Sequence, residues 1–189
     1  MHTGSVIIIT APSGAGKTSI TRYLLTQFPK LQFSVSAATR QQRAGEVNGK
    51  DYHFMSAAEF NQKINEEAFI EWEMVYEGKY YGTLKSEMER IWAEGKTPLL
   101  DIDVKGAIHV QQQFANNSLS IFIQAPSVDE LQKRLESRGT ETPESIRTRI
   151  SKASYEMSFK DNFDVTIVND VLERAQKEAA VVVTDFLNK

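Results

Sequence analysis

The chain has 189 residues, a formal charge of -3 and a pI near 5.7, with 41% hydrophobic and 25% charged residues. That is one domain's length in ordinary globular composition, and its slight acidity argues against a chain-wide electrostatic grip on nucleic acid or an anionic membrane. The absence of cysteine excludes a disulfide framework, a thiolate nucleophile, a thiolate zinc site and an iron–sulfur cluster, and it fits a reducing cytoplasm. The chain opens on MHTGSVIIIT, without the basic start or cleavage site of a signal peptide, and no apolar run reaches the ~18 residues of a membrane span. Val6 to Thr10 is a β-branched run, the pattern of a strand buried on both faces. A glycine-rich turn over 11–18 follows. Ile20, Tyr23, Leu24 and Phe28 then recur at helical spacing and predict a helix over 19–27, ending before Pro29.

Residues 33–83 change character. Short alternating runs, as in Phe69 to Tyr76, predict strands, with Glu77-Gly78-Lys79 as a hairpin turn before Tyr80-Tyr81. Ser56 and Glu59 form a capping-box pattern ahead of Phe60 and Ile64, which predicts one helix within this stretch. A small mixed or antiparallel lobe is expected. Strand–helix alternation then resumes, with strands at 98–103, 121–123 and 164–169 and a closing helix over 173–187. Two helices lie between the last two strands, one capped by Ser127 and Glu130, the other opened by Thr142-Pro143. The alternation implies a parallel sheet covered on both faces.

Ala11-Pro12-Ser13-Gly14-Ala15-Gly16-Lys17-Thr18 matches G-x-x-x-x-G-K-[ST] at every fixed position but the first. Small residues let successive backbone N–H groups turn inward around a phosphate, and the following helix adds its positive end. Lys17 supplies a mobile charge for the β- and γ-phosphates, and Thr18 a hydroxyl for Mg²⁺. Ala11 fits such a loop if its φ is negative. The placement between a buried strand and an amphipathic helix makes this a nucleotide-binding P-loop rather than a glycine-rich surface turn. The acceptor of any phosphoryl group must be read elsewhere. Arg40 and Arg43, with Gly45 and Tyr52, could converge on a phosphate or form a solvated basic loop. Glu71 shares its parity with Glu73 and reads equally as an outward residue of its strand. Arg134, Arg138, Arg147 and Arg149 fit two solvated helix faces, and Asn169-Asp170 a helix cap. His2, His53 and His109 share no metal-ligand spacing.

Taken together, these segments resemble the guanylate kinase family, in order and over nearly the whole chain. The segments are APSGAGKT, SAATRQQRAGEVNGKDYHF, FIEW, YYGT, LDID, RLESRG and Asn169-Asp170. The resemblance implies an α/β P-loop NTPase fold, a three-layer sandwich with a parallel sheet. It implies a core of 1–34, 85–125 and 158–189, an inserted GMP-binding lobe of 35–84 and a helical lid of 126–157. The whole would form one domain over about 4–184.

The activity implied is transfer of the γ-phosphate of ATP to GMP, and to dGMP, with Mg²⁺ as cofactor and neither nucleic acid nor membrane as partner. Monomer and homo-oligomer both remain compatible with it. ATP would be held by Ala11, Pro12, Ser13, Gly14, Ala15, Gly16, Lys17 and Thr18, by Arg138, and by Asn169 and Asp170 beside the adenine. Arg40, Arg43, Tyr52 and Tyr81 would hold the GMP phosphate. Glu71 and Asp103 would face the guanine, and Ser36 and Thr83 would donate toward its O6. Lys17, Arg40, Arg138 and Arg149 would be the catalytic charges, while Thr18 would bind Mg²⁺ and Asp101 would act on it through water. A carboxylate matches the N1–H and N2–H₂ donors of guanine but meets a lone pair at N1 of adenine. Such a mismatch can discriminate by about 10⁴–10⁵. Three other readings are a non-catalytic interaction module of the same fold, a related P-loop kinase with another acceptor, and a nucleic-acid-binding ATPase. They are disfavoured respectively by the intact phosphate-binding residues, by the Glu71, Tyr81, Thr83 and Asp103 set, and by the acidic charge without a basic stripe.

Overall fold

The computed structural model describes residues 4–137 and 142–189. Its first strand, β1 (Val6–Thr10), is buried along its whole length. It leads through the glycine-rich turn into α1 (Lys17–Gln27), which begins two residues before the predicted start because the turn feeds straight into helix. A short strand, β2 (Leu31–Phe33), follows and leads to the lobe. Further on, the core is completed by α3 (Lys85–Ala93), β7 (Thr97–Asp101), α4 (Val104–Gln113), β8 (Ser118–Gln124), α5 (Val128–Ser137), α6 (Pro143–Met157), β9 (Val165–Val168) and α7 (Leu172–Leu187). The five core strands form one parallel sheet in the order β2-β7-β1-β8-β9.

The alternation within β1 builds the three layers. Ile7 and Ile9 pack with Ile20 and Leu24 of α1 and Ala175, Ala179 and Val183 of α7. Val6 and Ile8 pack instead with Met88 of α3 and Val104, Ala107 and Val110 of α4. Each fully buried isoleucine or leucine contributes roughly 1.5–3 kcal/mol. Both faces of the sheet therefore need helices, as an all-parallel sheet requires. The chain is an α/β protein of the P-loop NTPase type. Among the described residues, no helix is long and apolar enough to cross a membrane.

The intervening segment makes a second sheet. It consists of β3 (Ala37–Ala38), β4 (His53–Phe54), α2 (Ala57–Asn65), β5 (Phe69–Tyr76) and β6 (Lys79–Leu84), with strand order β4-β3-β6-β5. The sheet is mixed, since β3 pairs parallel with β4 and antiparallel with β6. The turn at Glu77-Gly78 closes the β5–β6 hairpin, with Tyr76 opposite Lys79. Ser56 and Glu59 exchange the reciprocal bonds of a capping box at the start of α2. The lobe has a small core of its own, Ala37, Phe60, Phe69 and Leu84, with Phe60 and Phe69 stacked at 4.4 Å.

Candidate active site

The C-terminal ends of β1 and β7 open into a cleft of about 400 Å³ that the lobe sheet and α6 also line. The P-loop forms one wall. Gly14 and Gly16 have φ of 93° and 96°, a left-handed backbone that side-chain-bearing residues rarely adopt. Glu67 is the only described non-glycine residue with positive φ, so Ala11 meets the condition set for it. Gly16 is also a close approach, because a Cβ there would lie 2.2 Å from the Asn169 amide. That amide is buried and donates to the Ala15 carbonyl at 2.7 Å. Asn169 thus clamps the P-loop from behind. Asp170 pairs with Arg174 and accepts from the Val171 N–H at the start of α7.

Lys17 is ion-paired with Asp101 at the end of β7 and donates to the Ile102 carbonyl at 3.2 Å. Thr18 is exposed, and Pro12, Ser13, Gly14, Gly16, Lys17, Thr18 and Asp101 all line the cleft. From the opposite wall Arg149 of α6 donates to the Ser13 hydroxyl at 2.7 Å. Arg138 lies outside the described residues. Arg134 pairs with Glu130 and donates to the Asn169 carbonyl, a bracing contact between α5 and the end of β9.

The lobe supplies the rest. Ser36, Tyr52, Glu71 and Tyr81 line the same cleft, joined by Asp103 from the core at the start of α4. On β5, Glu71 and Glu73 face the cleft while Trp72 and Met74 are exposed, which resolves the parity of this strand. Glu71 is 4% exposed, and its Oε1 accepts from the Thr83 hydroxyl at 2.6 Å. Burial, aided by the nearby Asp103 charge, outweighs that hydrogen bond and pushes the Glu71 carboxyl up to about 7. Asp103 caps α4, its Oδ1 accepting from the Gly106 N–H at 2.9 Å. Arg40 and Arg43 do not line the cleft wall. Arg40 makes a bidentate pair with Glu46, at 2.6 and 2.7 Å, and lies over the Tyr52 and Phe54 rings at 4.7 and 5.2 Å. Glu46 also accepts from the Arg43 N–H, and its bond to Arg40 holds its carboxyl down at about 2.

This cleft therefore sets a phosphate-binding loop opposite a pocket with a buried carboxylate and hydroxyls. A family model described as guanylate kinase matches residues 3–185. The chain belongs to the guanylate kinase family. It is 46% identical over 187 residues to a guanylate kinase of Bacteroides thetaiotaomicron, covering 99% of this chain and 92% of that protein. It is likewise 46% identical over 184 residues to one of Salinibacter ruber, covering 97% of each. The solved structure of guanylate kinase from Anaplasma phagocytophilum matches with a TM-score of 0.78 and 28% identity, over 96% of this chain and 85% of that one.

Several residues of this guanylate kinase-family site were not singled out from the sequence. Glu46 orients Arg40; it lies within the SAATRQQRAGEVNGKDYHF segment that carries the family resemblance, but no role was assigned to it. Lys152 and Glu156 follow Arg149 by three and seven residues, the spacing of one helix face, and both line the cleft. Lys152 pairs with Glu156 at 3.6 Å and donates to the Val75 carbonyl of β5 at 3.4 Å, so α6 touches the lobe. Burial pushes the Glu156 carboxyl up. Glu87 of α3 is buried, accepts from the Val35 N–H at 3.2 Å and pairs with Arg90, tying the entry of the lobe to the core.

The residues present fit Mg²⁺. Among the described residues no group of three or more His, Cys, Asp or Glu could hold a metal ion. Magnesium in phosphoryl-transfer sites keeps most of its waters and binds through one or two side chains plus substrate phosphates, which Thr18 and Asp101 beside Lys17 can provide.

Proposed function

We propose that the chain catalyses ATP + GMP ⇌ ADP + GDP in the cytoplasm, with dGMP as a second acceptor. The observation that carries this is the buried Glu71 carboxylate, bonded to Thr83, in the same cleft as the P-loop lysine. The cleft pairs a site for a phosphate donor with a pocket for a base that presents adjacent N–H donors. The intact phosphate-binding residues disfavour a non-catalytic interaction module.

In this mechanism an oxygen of the GMP phosphate attacks the γ-phosphorus in line. The bond from that phosphorus to the β–γ bridging oxygen breaks, and ADP leaves with the electron pair. The protein's contribution is positioning and electrostatics, with no covalent intermediate. Lys17 leaves Asp101 for the β- and γ-phosphates, and Arg149, already against Ser13 of the P-loop, offsets charge on the transferred group. Thr18, and Asp101 through water, would hold Mg²⁺, which would supply positive charge to offset that of the nucleotide phosphates. Arg40, whose fork is paired with Glu46, exchanges that carboxylate for the GMP phosphate much as Lys17 leaves Asp101, and binds it together with Arg43, Tyr52 and Tyr81. Glu71 and Asp103 take the guanine donors, and Ser36 approaches O6; the Thr83 hydroxyl, expected to donate toward O6, gives its one proton to Glu71 and orients that carboxylate instead. Arg138 joins the catalytic charges, and closure of residues 126–157 over 35–84 excludes water that would otherwise hydrolyse ATP. Asn169 and Asp170 flank the adenine end of the site.

The test is coupled detection of ADP from ATP and Mg²⁺ with GMP, with dGMP and with no acceptor. ADP should appear rapidly with either guanine nucleotide, barely without one, and not in EDTA. ADP release indifferent to GMP would defeat the proposal.

A further inference from the structure

We propose that Gly106 is a specificity-determining residue, the missing side chain that makes room for the Glu71 carboxylate to face the base; this rests on GMP being the acceptor. Gly106 is the third residue of α4, is buried, and does not have positive φ. Its backbone is ordinary helix, where glycine is the poorest residue after proline. Helical conformation therefore gives no reason for glycine here, and its surroundings do. A Cβ at 106 would lie 2.6 Å from Glu71 Oε2, 3.1 Å from Glu71 Cδ and 3.2 Å from Asp103 Oδ1. It would meet both carboxylates assigned to the guanine edge.

Neither element can easily give way. Glu71 Oε1 is tied to Thr83 in a buried pocket. Ala107 of α4 and Ile70 of β5 share a core cluster, and the Gln113 side chain donates to the Ile70 carbonyl at 2.7 Å, so helix and strand are fixed to each other. What must move is the tip of Glu71, away from Thr83 or into the space for the base. Gly82 differs. A Cβ there would meet the Glu71 backbone carbonyl at 2.8 Å and the Phe69 and Trp72 side chains, so a substitution attacks the sheet itself. At 106 the severe obstacle is the Glu71 carboxylate, with Asp103 Oδ1 a milder one at 3.2 Å.

The experiment is Gly106→Ala, measured for KM of GMP, KM of ATP, the ratio of kcat/KM for GMP over AMP, and melting temperature. The KM of GMP should rise about tenfold or more, as expected when a hydrogen bond to a charged group is lost, and the GMP:AMP ratio should fall. The KM of ATP should not change, and the melting temperature should hold or rise. The same substitution on a Glu71→Asp background should cost less, because the shorter side chain withdraws from the contact. An unchanged KM for GMP, or an equal cost in both backgrounds, overturns the proposal. If Gly106→Ala lowers the melting temperature, Glu71→Asp should restore it, and failure to restore overturns the proposal equally. A parent enzyme that does not phosphorylate GMP defeats the functional reading, whereas an active parent with an indifferent Gly106→Ala defeats this inference alone.

Discussion

The P-loop and the proposed acceptor pocket are built by opposite means. The P-loop is a contiguous stretch, 11–18, shaped by two left-handed glycines and held from behind by Asn169. On the proposed reading it would meet phosphate largely with backbone N–H groups, and it follows a strand buried along its whole length. The acceptor pocket is assembled from side chains on β5, β6, the loops flanking β3 and the start of α4, several of them held by a partner. Thr83 holds Glu71, Glu46 holds Arg40 and Gly106 holds Asp103. A backbone site recognises phosphate generically. A side-chain site on a separate small sheet can be specific for one base.

Substitutions should separate the two regions. The largest effect is expected for Lys17→Ala, which removes the P-loop charge. It should lower kcat by about 10²–10³ or more, the scale of losing one electrostatic stabiliser, with little change in melting temperature. Near-full turnover would remove Lys17 from the reaction. Glu71→Ala should act on the other side. The KM for GMP should rise about 10- to 100-fold with the KM for ATP unaltered, and an unchanged KM for GMP would take Glu71 out of the base pocket.

The elevated Glu71 carboxyl sharpens the contrast further. Guanine donors require the ionised form, so GMP must expel a proton from Glu71 below about pH 7. The KM for GMP should then rise up to about tenfold per pH unit as pH falls below 7, while the KM for ATP lacks this dependence. Glu71→Gln should flatten the profile. The same group acts on stability. Its folded value lies above its ordinary 4.5, so the folded chain keeps the proton longer than the unfolded chain. The stabilisation is complete below 4.5 and is lost as pH rises through about 7, by on the order of 3 kcal/mol. Urea titrations of the parent and Glu71→Gln across this window would read that difference. The smallest effect is expected for Ser56→Ala. Loss of the α2 capping box should cost about 1 kcal/mol of stability and leave kcat intact, since this end of the lobe is outside the cleft.

The two regions also differed in how openly the sequence displayed them. The P-loop was legible because strand, loop and helix are consecutive and each residue type has a local reason. The β5 run, the hairpin turn at Gly78 and the α2 capping box were legible for the same reason. The residues 31–33 of β2 were not, because a three-residue strand carries too little pattern. The helices α3 and α4 went unnamed beside the strand at 98–103. The direction in which Glu71 points depends on which face of the hairpin meets α4, a tertiary fact that alternation with Glu73 leaves open. Family resemblance supplied its role, and the buried bond to Thr83 gives that role a physical basis. Asn169 was expected beside the adenine, and its burial against Ala15 became visible only with the fold. Lys152 reaches the Val75 carbonyl across the fold and Gly106 acts through the absence of a side chain, which no local pattern announces, whereas Glu46 and Glu156 have partners close in sequence whose significance appears only when the cleft is assembled.

The most direct measurement is the ratio of kcat/KM for GMP over AMP in the unmodified protein, with ATP and Mg²⁺ saturating. A pocket that meets guanine's donors with a buried carboxylate and leaves adenine unpaired predicts a ratio of about 10⁴ or more. A ratio near one would mean that Glu71 does not read the base, and the acceptor half of the account would be wrong.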